Sequence, residues 1–215
     1  MRVSKALTGC LKRTRDRWVL QLLYWPRVIR LRQRKNPPRR LQVGCGDNLF
    51  HGWINADITP KAELIIFLER RLPFPEASLS RIYSEHVLEH VPFEVGLGFL
   101  REALRALEPG GVIRLAVPDL RELAEGYLQG DWKTRFDWTR WPDYAFLKTG
   151  AQMINVGFRW WGHQHLYDRE ELQRALEEAG FSEITFPAFR ESAFEDLRGL
   201  ETRLESRLIA EAVKH

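Results

Sequence analysis

The sequence predicts an α/β fold in which a mainly parallel sheet is covered by helices on both faces. Three observations predict it. Short runs of β-branched and bulky residues alternate along the chain with amphipathic stretches at helical spacing. Turn and stop residues punctuate them, most clearly Pro109-Gly-Gly111 and Gly180. The 215 residues, 44% hydrophobic and 12% aromatic, supply the core of one domain.

Residues 1–38 read as a basic helical arm and linker. A helix is expected from about Thr14 to Trp25, ended by Pro26, with a second from Arg27 to Arg34. Asn36-Pro-Pro38 then forces an extended linker. The domain occupies residues 39–215. Leu41–Val43, Trp53–Ile58 and Leu64–Leu68 read as strands, and Arg81–Ser84 as a fourth after Leu72-Pro-Phe-Pro75. Val95, Phe99, Leu100, Ala103 and Leu104 mark a helix over Phe93–Leu107, which Pro109-Gly-Gly111 stops. Val112–Val117 is the fifth strand and Asp119–Leu128 the next helix. Residues 130–165 break the rhythm with five Trp and a hinge candidate, Gly150, and are expected to lie over one edge of the sheet. Asp168 with Glu171 forms a capping box for a helix that runs to Ala179, where Gly180 supplies the left-handed stop. Strands near Glu183–Phe186 and Leu208–Val213 close the chain.

Charge is divided unevenly. Residues 1–40 hold 13 Lys/Arg and one acid, Asp16, for +12, so residues 41–215 carry 20 bases and 28 acids, or −8. Cys10 and Cys45 lie far apart with no partner spacing, which argues against a disulfide framework and a zinc motif and makes a reducing, cytoplasmic compartment the expectation. Trp18–Trp25 is too short to span a membrane, and no signal-peptide cleavage pattern follows it.

In parallel sheets a ligand lies beyond the carboxyl ends of the strands. That rule selects Gly44–Gly46, Asp57, Phe67–Leu68, Ser84–His86 and Pro118–Asp119. Gly44 and Gly46 let a ligand approach the backbone. The dinucleotide fingerprint, however, needs a third glycine where Leu49 stands and a helix after it, and only ten residues separate Gly46 from Asp57. No Gly-Lys-Ser/Thr is present either. Asp57 can accept two hydrogen bonds from a ribose diol. A glycine turn beside a diol-binding acid, without phosphate-binding equipment, suits a phosphate-free nucleoside.

At these residues the chain resembles the class I S-adenosylmethionine-dependent methyltransferases, and more narrowly a small bacterial-type group whose first motif reads GCG followed by GWxNxD. Val43-Gly-Cys-Gly46, Gly52-Trp-Ile-Asn-Ala-Asp57, Ser84-Glu-His-Val-Leu-Glu-His90, Leu107-Glu-Pro-Gly-Gly111 and Val117-Pro-Asp119 fall in the family's order. The resemblance implies a Rossmann-like sheet of seven strands with the last antiparallel, a reduced first crossover, and S-adenosyl-L-methionine across the strand ends. It places Gly44, Cys45 and Gly46 at the methionine part, Asp57 with Ile58 at the ribose, and Phe67 and Leu68 at the adenine. Ser84, Glu85 and His86 line the methyl-donor side. Many relatives carry Asp where Phe67 stands, so adenine recognition here falls to backbone and apolar packing.

The expected catalytic residues are His86, a base candidate at a strand end, and His163, which matches a Gly-His pair common in relatives. Glu89 and His90 are expected to serve structure and to orient His86. His163 and His165 have metal-like spacing but lack a third ligand set along the sequence, so no metal is expected. Trp132, Trp138, Trp141, Trp160 and Trp161 offer an acceptor pocket or simply a local core. The acceptor expected is a hydroxyl of a saccharide, glycolipid or surface-polymer precursor. The alternatives are a small aromatic or quinone-like acceptor, or a catalytically silent cofactor-binding partner at the membrane. Residues 1–35 suit an anionic membrane surface at the inner face or packing onto the domain, with Trp18, Leu22 and Trp25 covering the sheet face that the short Gly46–Asp57 connection leaves bare. Nucleic acid ranks below both, because the −8 body offers no extended basic groove. The sequence sets no oligomeric state.

Overall fold

The computed structural model describes residues 21–215. Trp18, Cys10 and the expected helix start at Thr14 lie outside them. Helix α1, described over residues 21–32, runs straight through Pro26, against the expected break. Proline removes one helical hydrogen bond. Burial of Tyr24, Val28 and Leu31 in the main core offsets that loss.

The sheet has seven strands in the order β3-β2-β1-β4-β5-β7-β6. They are β1 (Arg40–Val43), β2 (Ile54–Asp57), β3 (Leu64–Ile65), β4 (Leu79–Glu85), β5 (Leu107–Val117), β6 (Ser182–Thr185) and β7 (Leu208–Val213). Strands β1 to β5 pair in parallel, and β7 runs antiparallel to both of its neighbours. The third strand is shorter than its apolar run: Ile66, Phe67 and Leu68 leave the ladder yet pack into the core.

Helix α2 (Phe93–Ala106) ends before Pro109, not at it. Pro109-Gly-Gly111 instead lies in the bulged start of β5, tied to the end of β7 by Gly110 N–H to Lys214 O and Lys214 N–H to Gly111 O. Helices α3 (Leu120–Gln129) and α6 (Arg169–Ala179) follow the expected stretches. Asp168 accepts from Glu171 N–H at 2.9 Å, and Gly180 adopts φ +101°.

Lateral pairing aligns Asn55, Gln42, Tyr83, Arg114 and Glu211 in one row across five strands, so these side chains share one face. The opposite face carries Leu41, Ile54, Ile82, Ile113 and Ala210 into the main core with α2 and α6. Right-handed crossovers place a β1–β2 helix on the face opposite α2, because the two connections move across the sheet in opposite directions. No helix forms in the ten residues between Gly46 and Asp57, and that face is covered by loop chain instead. Phe50 packs on Tyr83 and Trp53, and Phe194, Leu197 and Leu200 complete the cover. Leu22 and Trp25 do not fill this gap; both are exposed on α1.

Residues 130–165 form α4 (Trp132–Arg135), two short 3₁₀ turns, and α5 (Gly150–Asn155), which continues into a single π-helical turn. This segment has its own core: Trp132, Phe136, Trp138, Tyr144 and Met153 pack with Leu123 of α3. Gly157 belongs to that packing, since a Cβ there would stand 3.0 Å from Leu123.

Candidate active site

The first strand end is built by close backbone approach. Gly44 has φ +79°, and a Cβ there would lie 2.0 Å from the Val87 side chain, so only glycine allows this turn against the β4 loop. Gly44 and Cys45 N–H both donate to Ala56 O, and Gly46 N–H donates to Asp57 Oδ2 at 2.9 Å. Turn and carboxylate are therefore one unit. The second Asp57 oxygen accepts nothing among the described residues. Cys45 is buried, and burial followed by the nearby Asp57 charge pushes its thiol up to about 11, which removes it as a nucleophile. Ile66 N–H donates to Asp57 O, which brings Phe67 and Leu68 near the same end. Phe67 is buried between Tyr24 of α1 and Arg70, so the position where relatives carry an acid is here an apolar surface. Ile58 is exposed beside Asp57.

At the end of β4 the three expected residues part company. Ser84 is buried within the sheet. Glu85 turns its carboxylate onto the loop before β7, accepting from Thr202 N–H, Thr202 Oγ1, Arg203 N–H and Ser206 Oγ. Burial works against that charge, but these hydrogen bonds outweigh it and hold the carboxyl below its ordinary range. His86 holds a left-handed backbone, φ +53°, fixed by its N–H bond to Ala116 O. Its Nε2 is buried without a partner among the described residues, and the side chain lines a cavity of about 610 Å³.

That cavity lies between the strand ends and residues 130–165. Trp138, Trp141 and Trp161 line it, and Trp161 Nε1 donates to Tyr144 OH at 2.8 Å, which fixes the indole. Trp132 is core and Trp160 is exposed; neither lines the cavity. His163 lines it beside Trp161, with Nδ1 2.8 Å from Gly157 O, and burial pushes its imidazole below the ordinary histidine range. His165 points elsewhere, with Nε2 3.0 Å from Glu171. Asp119 and Glu122 also line the cavity, and burial raises both carboxyls. Gly44, Gly46 and Asp57 lie outside it. His86 marks the boundary between the glycine turn and the cavity.

Sequence reasoning missed the wall that Arg203, Leu204 and Arg207 contribute. Nothing in a polar loop between two closing strands signals such a role. Glu122 gave no signal either, being one of several acids on an amphipathic helix.

The family described as "Methyltransferase domain" matches residues 17–185. Among solved structures, an S-adenosylmethionine-dependent methyltransferase from Archaeoglobus fulgidus is 17% identical and covers 93% of this chain and 94% of its own, with a TM-score of 0.50. A Thermotoga maritima protein described as a possible histamine N-methyltransferase is also 17% identical, with 96% of each chain covered and a TM-score of 0.46. A possible exported protein from Bordetella parapertussis is 15% identical at a TM-score of 0.47; 87% of this chain and 65% of that chain are covered, so this chain spans just under two thirds of it. No curated protein sequence matches the chain. At these identities the structural likeness is one of fold. The family match covers most of the chain, and the strand order with its reversed β7 agrees with it: the chain belongs to the methyltransferase-domain family and is an enzyme of the S-adenosylmethionine-dependent class.

Proposed function

We propose that this methyltransferase acts on a hydroxyl of a saccharide, glycolipid or surface-polymer precursor held in the 610 Å³ cavity. The observation that carries the reading is the cavity wall, which combines Trp138, Trp141 and Trp161 with Asp119 and Glu122. Indole faces stack on the apolar faces of sugars, and carboxylates accept from their hydroxyls. Bound S-adenosylmethionine supplies a methyl group already activated on a sulfonium. The protein's tasks are then positioning, exclusion of water, and removal of the hydroxyl proton. Gly44 and Gly46 give the cofactor backbone access, Asp57 accepts from its ribose hydroxyls, and Phe67 and Leu68 border its adenine. His86 Nε2, buried and unpartnered, takes the proton from the acceptor. His163 closes the acceptor side of the cavity.

A labelled-methyl transfer screen over glycan, lipid and phenolic fractions tests the acceptor class. Label in saccharide-bearing material is the expected result. Label in phenolic material alone would transfer the reading to an aromatic acceptor, and label in neither would leave a cofactor-binding protein without transfer activity.

The described part of the arm supports work at an anionic lipid surface. Leu22, Trp25 and Ile29 fall on one face of α1, all more than half exposed, beside the cationic arm. No helix among the described residues is long and apolar enough to cross a membrane. Tyr24, Val28 and Leu31 are core residues, so the arm cannot be cut away without opening the domain. Substitution is the cleaner probe. Leu22→Ser with Trp25→Ser is expected to lower co-sedimentation with anionic phospholipid vesicles about 10-fold or more, the scale of two apolar side chains returned to water. Equal sedimentation of the two proteins would count against α1 as a membrane contact.

A further inference from the structure

Glu89 is fully buried, and among the described residues neither of its carboxylate oxygens accepts a hydrogen bond. A buried carboxyl group left without a hydrogen bond calls for a compensating partner. Imidazoles from two segments surround it. From Glu89 Oε1, His86 Nδ1 lies 3.2 Å away, His90 Nε2 3.9 Å and His163 Nε2 4.0 Å. The donor atoms of Glu89, His90 and His163 all stand within 4.8 Å of one another.

The orientation of His163 is decisive. Its Nδ1 faces the carbonyl of Gly157 at 2.8 Å, and a carbonyl only accepts, so Nδ1 carries the hydrogen. Nε2 therefore presents a lone pair toward a carboxylate that also offers only lone pairs. A cation placed between them would satisfy both. A backbone carbonyl that fixes one ring nitrogen while the other is free to ligate is a recurrent feature of metal-bound histidine. The chain holds this geometry in place. Gln164 N–H donates to Glu89 O at 2.7 Å, and Gln164 Nε2 to His90 O at 2.6 Å, clamping the two segments together.

We propose that Glu89, His90 and His163 form a binding site for one divalent cation of the borderline class, such as Zn²⁺ or Co²⁺. Two imidazoles and a carboxylate suit these ions better than Mg²⁺ or Ca²⁺, which prefer oxygen donors. Tetrahedral donors at the usual 2.0–2.1 Å would stand about 3.4 Å apart, so small side-chain rotations close the site. Three protein ligands leave a position open, as in catalytic metal centres. His90 and His163 line the acceptor cavity, so that position faces the acceptor. Binding an acceptor oxygen there is the role the ion takes under the function proposed above; the site itself does not depend on that reading. His165, engaged with Glu171, is not part of it. The spacing of His163 and His165 along the sequence thus pointed to one ligand, and the fold supplies the other two.

The test titrates Zn²⁺ alone into chelator-treated full-length protein by calorimetry, without methyl donor or acceptor, and records the visible absorption of the Co²⁺ form. One ion per chain is expected, with a Co²⁺ spectrum typical of nitrogen and oxygen ligands. His90→Ala, whose side chain is 37% exposed and so least disturbing to the fold, should weaken binding more than about 10-fold, as should Glu89→Gln. His165→Ala should leave affinity unchanged. Absence of stoichiometric binding in the wild type, or loss with His165→Ala but not with His90→Ala, would overturn the proposal. Because no methyl transfer is measured, a wrong acceptor assignment cannot mimic either outcome.

Discussion

Replacing His86 is expected to lower the methyl-transfer rate by about 10²- to 10⁴-fold, the usual contribution of a positioned general base. Cofactor affinity should stay near the wild-type value, because Gly44, Gly46 and Asp57 lie outside the cavity that His86 lines. The choice of variant matters. His86 sits at φ +53°, where alanine is strained and asparagine is comparatively tolerated, so His86→Asn removes the proton acceptor with less disturbance than His86→Ala. A fall in kcat in both variants with little change in cofactor affinity supports the base. Rates in both variants equal to the wild type would remove His86 from the chemistry.

The largest expected effect on stability belongs to Arg114. Its guanidinium is wholly buried, pairing with Glu201 at 2.6 Å and with Glu211 across the β5–β7 register, and donating to Glu191 O. Burial alone would pull its pKa down; the two carboxylates more than reverse that. Arg114→Met strands both acids in the sheet face and is expected to cost about 3–5 kcal/mol. A lower urea midpoint at unchanged slope is the measurement. Adding Glu201→Gln and Glu211→Gln should recover a good part of the loss, since the penalty comes from unpaired charge. No recovery would mean that the arginine's packing, rather than its charge, stabilises this face.

This network also shows where sequence reading stops. The apolar side of the sheet was legible because Leu41, Ile54, Ile82 and Ile113 are the strand interiors that hydrophobic runs announce. The opposite side was not, since Asn55, Gln42, Tyr83, Arg114 and Glu211 become one polar row only after five strands are placed in register. Pro26 and Pro109-Gly-Gly111 misled for a related reason: local breaking propensity yielded to core burial at α1 and to pairing with the β7 end. The glycine turn and its tie to Asp57 were readable because they are local, closed by bonds between neighbouring strand ends. The grouping of Glu89 with His163 was not, because Gln164 creates it by clamping its segment to Glu89 and His90, the latter 74 positions away.

The short connection after Gly46 proves consistent from end to end. It omits the helix that a pyrophosphate site would use, leaves its sheet face to Phe50 and Trp53, and ties Gly46 N–H directly to Asp57. Under the function proposed above, the ribose end of the cofactor rests on one carboxylate, Asp57. Hydrogen bonds to a charged group are worth about 1.5–3 kcal/mol, so Asp57→Ala should weaken S-adenosylmethionine binding roughly 10- to 100-fold. Calorimetric titration of S-adenosylmethionine into the wild type and this variant tests the assignment most directly. One cofactor bound per chain, with affinity falling by that factor in the variant, is the predicted result; equal affinity in the two proteins would contradict it.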